Sequence, residues 1–514
     1  MTSDTLGVRH LLVERKWLEE RWAVPAILTG LVALSLLLRT RILGAGFWID
    51  EGISVGIAHH HWSSIPHLLR RDGSPPAYYL LLGLWIRLFG DGERATHMLS
   101  LVFALACIPL AYAAGRSVFN RTTGIVCAIL AALDPFLTYY AQETRMYTIE
   151  AFLSIIVAWA YVNGILRGSR WWMAGLVLAL TAQLYTHNWA LFVCAGLAAA
   201  TVAVARNRWK RFAVVALGVA VLYAPWLPTL LYQVQHTGAP WSTRPSIHDL
   251  VLAPGAVLSG DAPFMAFALV GGTGLAAYVR RRDDAERTVI LSLALGVAFT
   301  VLLAWISSQI SPAWTTRYFS VVLGSLLLLA ARGLQSAGRL GLIALIAVMF
   351  LWAGFSAHPD KENARQLAAA LRPRLHRGEL ILTTHPEQVP VLRYYFGKDL
   401  RYANTFGPVQ DPQVFDWVDA VSRLKATRPK KTLDALLRTV TPGEEFVVVT
   451  PVFRDYRAWD AKWTHLVWEK ARVWTYLLQT DPRLQQVEHV QSNEIALHLN
   501  YFKPLQAFVY RRLR

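Results

Sequence analysis

Polar and charged side chains are concentrated in one stretch, FWIDEGISVGIAHHHWSSIPHLLRRDGSPP, which runs from Phe47 to Pro76 directly after the first apolar run. It combines adjacent carboxylates, consecutive histidines and a basic pair: Asp50, Glu51, His59, His60, His61, Arg70, Arg71 and Asp72. Carboxylates suit general acid–base catalysis, and arginines suit an anionic leaving group such as phosphate. Such a density of polar groups beside a membrane-spanning segment is typical of a functional site.

The composition is that of a membrane protein. Of the 514 residues, 54% are hydrophobic, and the mean hydropathy is +0.33, which is too apolar for a single soluble core. The formal net charge of +17 would suggest nucleic-acid binding in a soluble protein. Here the basic residues form short clusters between apolar runs, which is the pattern that orients a chain in a bilayer. We therefore expect the lipid bilayer, and not nucleic acid, as the partner of these charges.

The apolar runs predict about eleven membrane-spanning helices. They lie at Trp22–Leu43, Ala95–Gly115, Gly124–Leu137, Tyr147–Leu166, Trp171–Tyr185, Trp189–Ala205, Phe212–Leu231, Ala262–Val279, Thr288–Ile306, Tyr318–Ala331 and Leu340–Phe355. A further apolar segment, Ala77–Phe89, is too short for a full crossing and is typical of a re-entrant or interfacial helix.

The distribution of charge decides the topology. If Ala77–Phe89 does not cross and the N-terminus is cytoplasmic, every strongly basic connection lies in the cytoplasm, as the positive-inside tendency requires. These connections are GRSVFNR, RGSR, RNRWKR, RRRDDAER and ARGLQSAGR. The first loop (44–93), the turns DPFLTYYAQETRMY and YTHN, and the connection SSQISPAWTTR then share the outer face with everything after Phe355. The conspicuous polar side chains are therefore predicted to meet on that face.

The predicted fold is a polytopic α-helical membrane protein with a small C-terminal α/β domain outside the cytoplasm. Residues 1–21 are expected to form a cytoplasmic lead-in, residues 22–355 the transmembrane domain, and residues 356–514 the C-terminal domain. The last part has strand-like and helical patterns at Leu380–Thr384, Phe446–Thr450, Phe508–Tyr510, Lys361–Leu375 and Ala461–Leu478. The three cysteines all fall in apolar runs and are interpreted as core residues: Cys107, Cys127 and Cys194.

A set of motifs follows one another in a characteristic order. They are WIDE after the first span, DGSPPAYYLLLGLWIRLFG, GRSVFNRTTG, YYAQETRMY, YTHNWALFV and a late TTRYF. Together, over roughly Trp22 to Ala331, they resemble the bacterial branch of the GT-C membrane glycosyltransferases, related to protein O-mannosyltransferases and to the aminoarabinose and Rgt-type lipopolysaccharide transferases. The resemblance implies the GT-C fold, a polyprenyl-phosphate-linked monosaccharide as donor, and an acidic residue of the first outer loop as catalytic base. It also favours a mechanism that needs no metal ion or other cofactor.

The chemistry of such a transfer makes the same demands on the residues. A carboxylate must take the acceptor proton as the transition state becomes oxocarbenium-like. The leaving phosphate needs cations or hydrogen-bond donors, best supplied by arginine. A lipid tail on the donor requires that the site lie at a bilayer interface. Carboxylates and arginines at the outer ends of spans meet these three demands.

Asp50 is the predicted general base. The alternative is that it caps a helix running from Glu51 into the histidines, since aspartate is a favoured N-cap residue, and the two roles are compatible. Glu51 would point about 100° further round that helix. It would there orient the acceptor or ligate an ion.

Further candidates for donor binding lie in later outer turns. Glu143 and Arg145, in QETR, do not share a helix face, so one would face the site while the other braces the loop; a structural ion pair with the first loop is the alternative. The resemblance favours a site role for this motif, with Tyr147 beside it. His187 would donate to phosphate or sugar, or be structural. Arg317, in TTRYF, would bind the lipid phosphate, or extend to ordinary headgroups.

The remaining polar residues of the first loop have less specific expectations. His59 and His60 are interpreted as acceptor contacts or, with Asp50 or Glu51, as ligands of a divalent cation. Consecutive histidines splay around a helix, so a site made of histidines alone is not expected.

Arg70 and Arg71 would follow the donor phosphate or anchor the loop at the headgroups. Asp72 would cap the loop before GSPP, whose glycine and prolines stiffen the turn.

The sequence therefore predicts a multi-pass protein of the bacterial cytoplasmic membrane that transfers a monosaccharide from a polyprenyl phosphate to a hydroxyl of a glycan, lipid or protein at the outer face. The anomeric centre inverts if no covalent sugar–enzyme intermediate forms. One alternative is an oligosaccharide ligase or polymerase with a pyrophosphate donor. Others are a transporter or flippase for lipid-linked sugars and a non-catalytic scaffold. A transporter would predict charges at mid-bilayer and symmetry between the halves, and the sequence shows neither.

Overall fold

The computed structural model describes residues 21–281, 284–355, 361–452, 461–490 and 504–513. The predicted cytoplasmic lead-in, 1–21, falls outside these ranges except for its last residue. Helices dominate up to residue 355, and a mixed sheet with helices follows from residue 361. We refer to this second part, residues 361–513, as the C-terminal α/β region.

The first loop consists of short helices between two apolar ones. The chain enters through α1 (Ala23–Arg39), forms α2 (Ile49–Ala58), α3 (Ile65–Asp72) and α4 (Ala77–Phe89), and leaves through α5 (Glu93–Val118). Asp50 lies in the first turn of α2. The N-cap position is occupied by Trp48, so the alternative role of Asp50 as a helix cap does not hold.

The helical part continues with a series of mostly apolar helices. Their bounds are α6 (Arg121–Leu133), α7 (Pro135–Tyr140), α8 (Tyr147–Tyr161, extended by a π-helix at Val162–Leu166), α9 (Arg170–Thr186), α10 (Ala190–Val204), α11 (Trp209–Tyr223), α12 (Leu227–His236), α13 (Ile247–Leu252), α14 (Asp261–Ala266), α15 (Gly272–Arg281), α16 (Asp284–Ile310), α17 (Leu323–Ser336, preceded by a 3-10 helix at Thr316–Val322) and α18 (Arg339–Ala353).

Several of these helices suit a bilayer by length and composition. Within the described ranges, six continuous helical segments are long and apolar enough to cross a membrane: Glu93–Val118, Tyr147–Leu166, Arg206–His236, Asp261–Arg280, Ala285–Ile310 and Thr316–Ser336. Shorter apolar helices are Ala23–Arg39, Ala77–Phe89, Arg121–Leu133, Ala190–Val204 and Arg339–Ala353. The protein is therefore a multi-pass membrane protein, and the count of about eleven crossings stays a prediction.

Helix α4, the ambiguous apolar segment, lies alongside the first loop. A Cβ atom on Gly83 would be 2.9 Å from the carbonyl oxygen of Ala58, at the end of α2. Near its C-terminus, Arg87 donates to the carbonyl oxygen of His60. The first contact is with the last residue of α2 and the second is with a residue just after it, so α4 lies beside α2.

A buried arginine fixes the point where the first loop begins. Arg39, the last residue of α1, is fully buried. Its guanidinium donates to the carbonyl oxygens of Ala104 at 2.8 Å and Ala131 at 2.6 Å. The end of α1 is thereby joined to α5 and α6, and polar backbone groups inside the bundle obtain partners.

The C-terminal α/β region contains a six-stranded mixed sheet with the strand order β3-β2-β1-β4-β6-β5. Strand β1 pairs in parallel with both β2 and β4, and β6 pairs antiparallel with β4 and β5. The strands are β1 (Leu380–Thr383), β2 (Arg401–Asn404), β3 (Gly407–Pro408), β4 (Glu445–Pro451), β5 (Leu484–Val490) and β6 (Leu505–Arg512). The helices are α19 (Ala364–Leu371), α20 (Val389–Phe396), α21 (Ala420–Ala426), α22 (Pro429–Leu437) and α23 (Lys462–Thr480).

The C-terminal α/β region lies directly on α2. A Cβ atom on Gly52 would be 2.7 Å from the Cα of Val391, and one on Gly56 would be 1.9 Å from the carbonyl oxygen of Gln413. At the start of α2, the Ile49 N–H donates to the Glu362 carboxylate at 3.1 Å. The helix that carries Asp50 is thus held at its start and along one face by the end of the chain.

Candidate active site

The carboxylate of Asp50 faces a buried arginine from the far end of the helical part. Arg317 Nη2 lies 3.3 Å from Asp50 Oδ2. The exposed fractions of the two side chains are 13% for Arg317 and 22% for Asp50. Asp50 and Arg317, which are far apart along the chain, therefore form a pair that remains partly exposed to solvent.

A second guanidinium approaches the same helix turn. Arg145 Nη1 donates to the hydroxyl of Ser54 at 2.9 Å and to the carbonyl oxygen of Asp50 at 3.4 Å. The Ser54 hydroxyl in turn donates to that carbonyl at 2.7 Å. Ser54 lies one helical turn after Asp50, on the same face of α2. It therefore helps to hold Arg145 beside the acid.

The other charged residue of the QETR turn faces away from Asp50. Glu143 accepts a hydrogen bond from Trp48 Nε1 at 3.2 Å, and its other oxygen lies 3.7 Å from Lys361 Nζ. Burial raises the pKa of Glu143, and the nearby Lys361 ammonium opposes this shift. The two residues thus diverge as their spacing predicts. Arg145 lies beside Asp50, whereas Glu143 belongs to a buried charged cluster with Lys361 and Glu51, which we call the brace.

The side chain of Glu51 lies in that brace and does not contact Arg145 or Arg317 beside Asp50. Its side chain is fully buried. One oxygen accepts from the Thr144 N–H at 2.7 Å and lies 2.7 Å from His97 Nε2, and the other lies 3.0 Å from Lys361 Nζ. Burial alone would raise the pKa of Glu51, but Lys361 and His97 lower it to about 2. Because both oxygens are engaged and no solvent reaches them, Glu51 is not placed to contact an acceptor or an external ion.

Aromatic rings form a wall beside the two arginines. Arg317 lies 5.5 Å from the ring centre of Trp48 and 5.8 Å from that of Tyr318, and Arg145 lies 5.8 Å from that of Tyr147. These distances are within the range of cation–π attraction. Tyr147 therefore lies beside a site arginine, as the motif in which it occurs suggests.

His187 contacts the same wall as a neutral ring. Its ring centre is 4.6 Å from that of Tyr318, and its Nδ1 accepts a hydrogen bond from the Trp189 N–H at 3.1 Å. Burial, with the charges of Arg145 and Arg317, lowers the pKa of His187 to about 3. The imidazole is therefore neutral with its hydrogen on Nε2, which is a hydrogen-bond donor and not a cation.

His59 and His60 of the first loop are each paired with a carboxylate other than Asp50 and Glu51. His59 Nε2 lies 3.1 Å from Asp91, and His60 Nε2 lies 2.9 Å from Asp411 of the C-terminal α/β region. Across the described residues there is no group of three histidine, cysteine, aspartate or glutamate side chains that could hold a metal ion. The two histidines are thus paired with protein carboxylates, and among the described residues no set of three ligands supports the alternative of a cation site at Asp50 or Glu51.

The basic pair of the first loop also has other contacts. Arg70 lies over the ring of Tyr232, 4.0 Å from its centre. Arg71 Nη2 lies 2.5 Å from Asp416 of the C-terminal α/β region. Neither contact is with Asp50. Arg145 and Arg317 therefore lie beside Asp50, whereas Arg70 and Arg71 do not.

Two residues at or behind the site, Ser54 and Lys361, were missed by the sequence reasoning, and a third, Asp72, was given a different role. Asp72, expected only to cap a loop, is buried, accepts from the Tyr79 hydroxyl at 3.5 Å, and has its pKa raised by burial and by the charge of Asp50. Ser54 could have been found from its spacing of four residues from Asp50. Nothing local marks Lys361, because its partners lie in segments far away along the chain.

A known family matches part of the helical region. A family model described as dolichyl-phosphate-mannose-protein mannosyltransferase matches residues 73–232. That range contains the QETR turn and His187 but neither Asp50 nor Arg317. Comparison with curated protein sequences gave no match.

Solved structures match nearly the whole chain. ArnT from Cupriavidus metallidurans bound to undecaprenyl phosphate is similar with a TM-score of 0.61 at 12% identity, over 95% of this chain and 97% of ArnT. Its apo state gives a TM-score of 0.62 at 13% identity, over 94% and 98%. The protein has the GT-C fold.

A second solved structure of similar fold comes from an archaeon. The archaeal oligosaccharyltransferase AglB from Archaeoglobus fulgidus, in complex with an inhibitory peptide and a dolichol-phosphate, has a TM-score of 0.53 at 11% identity. The similarity covers 85% of this chain and 70% of AglB. The GT-C resemblance of the sequence motifs is thereby confirmed at the level of the fold.

Proposed function

We propose that this protein is a glycosyltransferase that moves a monosaccharide from a polyprenyl-phosphate donor to a hydroxyl group. The acceptor oxygen forms a bond to the anomeric carbon, while the bond from that carbon to the phosphate oxygen breaks and its electron pair leaves with the polyprenyl phosphate. Asp50 takes the proton of the acceptor hydroxyl. In-line attack without a covalent sugar–enzyme intermediate inverts the anomeric centre.

The exposure of Asp50 is the single observation that carries the proposal. Glu51 and Glu143 are both buried and engaged with Lys361, whereas Asp50 keeps 22% of its side chain accessible beside Arg317. A general base must reach the proton that it abstracts. Asp50 is the acidic group in this cluster that meets this condition.

The arginines supply the second requirement of the reaction. Arg317 and Arg145 converge on the same turn of α2, where the charge of a departing phosphate would need to be balanced. His187 adds a neutral donor behind them. The acids described here are paired with protein cations: Asp50 with Arg317, and Glu51 and Glu143 with Lys361.

The position of the site supports a lipid-linked donor. Arg317 and Tyr147 stand at the starts of the apolar segments Thr316–Ser336 and Tyr147–Leu166, so a polar head at Asp50 would have its tail beside apolar helices. Solved relatives of the same fold carry undecaprenyl phosphate or dolichol-phosphate. We infer from the pattern of basic connections that this face is outside the bacterial cytoplasmic membrane.

The donor assay that tests this proposal compares two lipid linkages. Purified protein is given radiolabelled undecaprenyl-phosphate monosaccharides and, separately, an undecaprenyl-pyrophosphate oligosaccharide, each with membrane extract as acceptor. We expect label transfer only from the monophosphate donors. Transfer only from the pyrophosphate donor would identify a ligase or polymerase, and transfer from neither donor would contradict the proposed activity.

A further inference from the structure

The carboxyl ends of the parallel strands in the C-terminal α/β region meet at one edge of the sheet. The chain leaves β1, first forms β2 on one side of it and later forms β4 on the other side. The connections therefore diverge at the end of β1. In open α/β sheets this is the place where ligands bind, in the crevice beyond the strand ends.

Three threonines occupy this edge. Thr384 directly follows β1, Thr405 directly follows β2, and Thr450 lies near the end of β4. The Thr384 N–H donates to the carbonyl oxygen of Val449 at 3.0 Å, so the pairing of β1 with β4 continues to Thr384 and places it opposite Thr450. Neighbouring strands are about 4.8 Å apart. We call these three residues the threonine row.

The polar atoms at this edge lack protein partners. All three threonines of the row are buried, and their hydroxyls accept or donate no hydrogen bond within the described part of the chain. The same is true of His385 Nδ1 and Gln388 Oε1, in the turn after β1. Buried polar atoms in folded proteins nearly always have a partner. Five unpartnered atoms at one sheet edge therefore point to a ligand that supplies the partners.

The chemistry of these groups selects an uncharged, hydroxyl-rich ligand. Hydroxyls, a ring nitrogen and an amide oxygen can exchange hydrogen bonds with sugar hydroxyls in both directions. Glu387, in the turn after β1, has one charged oxygen engaged: Oε1 lies 2.7 Å from His385 Nε2 and accepts from Trp463 Nε1 at 2.7 Å. Among the described residues at this sheet edge, no lysine or arginine belongs to the set, which disfavours a phosphate.

The threonine row lies close to the helix that carries Asp50. Gln388 Nε2 donates to one oxygen of Glu362 at 2.8 Å, and the other oxygen of Glu362 accepts from the Ile49 N–H. The 3-10 helix Pro386–Gln388 packs against α2. Two hydrogen bonds through one side chain thus join the sheet edge to the residue before Asp50.

We propose that the threonine row, with His385 and Gln388, binds a saccharide unit of the acceptor. The C-terminal α/β region would then contribute to acceptor recognition. The identification of the saccharide as part of the acceptor rests on the proposed function. Binding of a saccharide as such does not depend on that function, and it is measured separately.

The test uses the full-length purified protein and a panel of methyl glycosides, observed by saturation-transfer NMR. The Thr384→Val/Thr450→Val variant keeps the side-chain shape and removes two hydroxyls. We expect its affinity for the bound glycoside to fall by about tenfold or more, since each lost hydrogen bond to a ligand is worth a several-fold change. Because the removed hydroxyls are unpartnered without ligand, its Tm should equal or exceed that of the wild type.

Matched variants keep the result interpretable. Thr439 is an exposed residue just after α22, and its hydroxyl donates to the carbonyl oxygen of Leu436. Thr439→Val removes that hydroxyl, and this variant should bind as the wild type does. Thr384→Ser retains a hydroxyl and should retain binding even if the double variant does not fold. Asp50→Asn should also bind normally, which separates this proposal from the proposed activity. Equal binding by the double variant, or no glycoside bound by the wild type, would overturn the proposal.

Discussion

Arg317 Nη2 lies 3.3 Å from Asp50 Oδ2, although the two residues belong to opposite ends of the helical part of the chain. This pair joins the acid of the first loop to the start of the apolar segment Thr316–Ser336. The proposed base and the proposed phosphate-binding cation thereby lie together at the end of the helices. The geometry links the two chemical demands of glycosyl transfer, and it makes separate predictions for each partner.

Removal of the Arg317 cation should slow the reaction and leave folding intact. We expect Arg317→Gln to reduce kcat by about 10²–10³-fold, the usual cost of losing one donor to a developing charge. Initial rates with a polyprenyl-phosphate donor give the measurement. Arg70→Gln is the matched control, because Arg70 contacts Tyr232 and not Asp50, and it should stay within a few-fold of the wild type. Equal losses in the two variants would contradict the role of Arg317.

Lys361 should be required for the stability of the site. Its ammonium lies between Glu51 and Glu143, at 3.0 and 3.7 Å, and removing one partner of a buried charge pair costs about 3–5 kcal/mol. Lys361→Met should therefore lower the Tm in detergent and reduce transfer, whereas Lys398→Met, at an exposed position, should do neither. An unchanged Tm for Lys361→Met would show that the brace does not hold the loop.

The same brace predicts a dependence of stability on acid. The pKa of Glu51 is lowered to about 2 in the folded protein from a usual value of 4.5. Its stabilising contribution is therefore complete above about pH 4.5 and is lost as the pH falls toward 2. Without the Lys361 ammonium the pKa of Glu51 is lowered less, so in Lys361→Met the loss of stability should begin at a higher pH. Thermal unfolding of both proteins at several pH values between 2 and 6 measures the difference.

The contact between His60 and Asp411 predicts a contribution to stability that is lost as the pH rises, opposite to that of Glu51. A hydrogen bond to Asp411 raises the pKa of His60 above 6.5, against the effect of burial. The contribution of this pair is present below pH 6.5 and is lost as the pH rises through the raised pKa. Asp411→Asn should therefore lower the Tm more at pH 6 than at pH 9. Because both side chains are partly exposed, the effect is at most about 1 kcal/mol.

A control for that pair is Asp399→Asn, since Asp399 is exposed and lies 3.9 Å from Arg377. Its Tm difference from the wild type should not change between the two pH values. A pH-independent effect of Asp411→Asn would rule out a charged pair at this interface.

The close contact of α2 with the C-terminal α/β region predicts that Gly56 tolerates no side chain. A Cβ atom there would lie 1.9 Å from the carbonyl oxygen of Gln413, so Gly56→Ala should cost about 1–3 kcal/mol through displacement of one of the two segments. Gly30→Ala adds a Cβ with nothing within 4 Å and should be neutral. Thermal unfolding of the two variants compares them directly, and equal stability would mean that the two segments separate easily.

Much of the helical part follows from local patterns in the sequence. The apolar run predicted at Tyr147–Leu166 is a helix over Tyr147–Tyr161 that continues as a π-helix to Leu166. The strand predicted at Leu380–Thr384 is found at Leu380–Thr383. Periodicity and run length are properties of neighbouring residues, so these elements were accessible to sequence analysis.

The contacts that complete the site are not local. Lys361 meets Glu51 across 310 residues and His60 meets Asp411 across 351 residues, and no spacing in the sequence encodes such a meeting. The strands β2 and β5 were missed for a related reason. The first is short and the second, LQQVEHV, is polar and largely exposed, so neither has the apolar alternation that marks a strand.

The proposed mechanism depends most on Asp50 as the group that takes the acceptor proton. We expect Asp50→Asn to fold, to keep the Tm of the wild type within a few degrees, and to lose about 10²–10⁴-fold in transfer rate, the usual worth of a general base. Asp91→Asn, which changes an exposed carboxylate paired with His59, serves as the control and should remain active. The decisive measurement is single-turnover transfer from an undecaprenyl-phosphate monosaccharide by the Asp50→Asn protein. A rate near that of the wild type would contradict the mechanism, and a loss confined to Asp50→Asn is the result that the structure predicts.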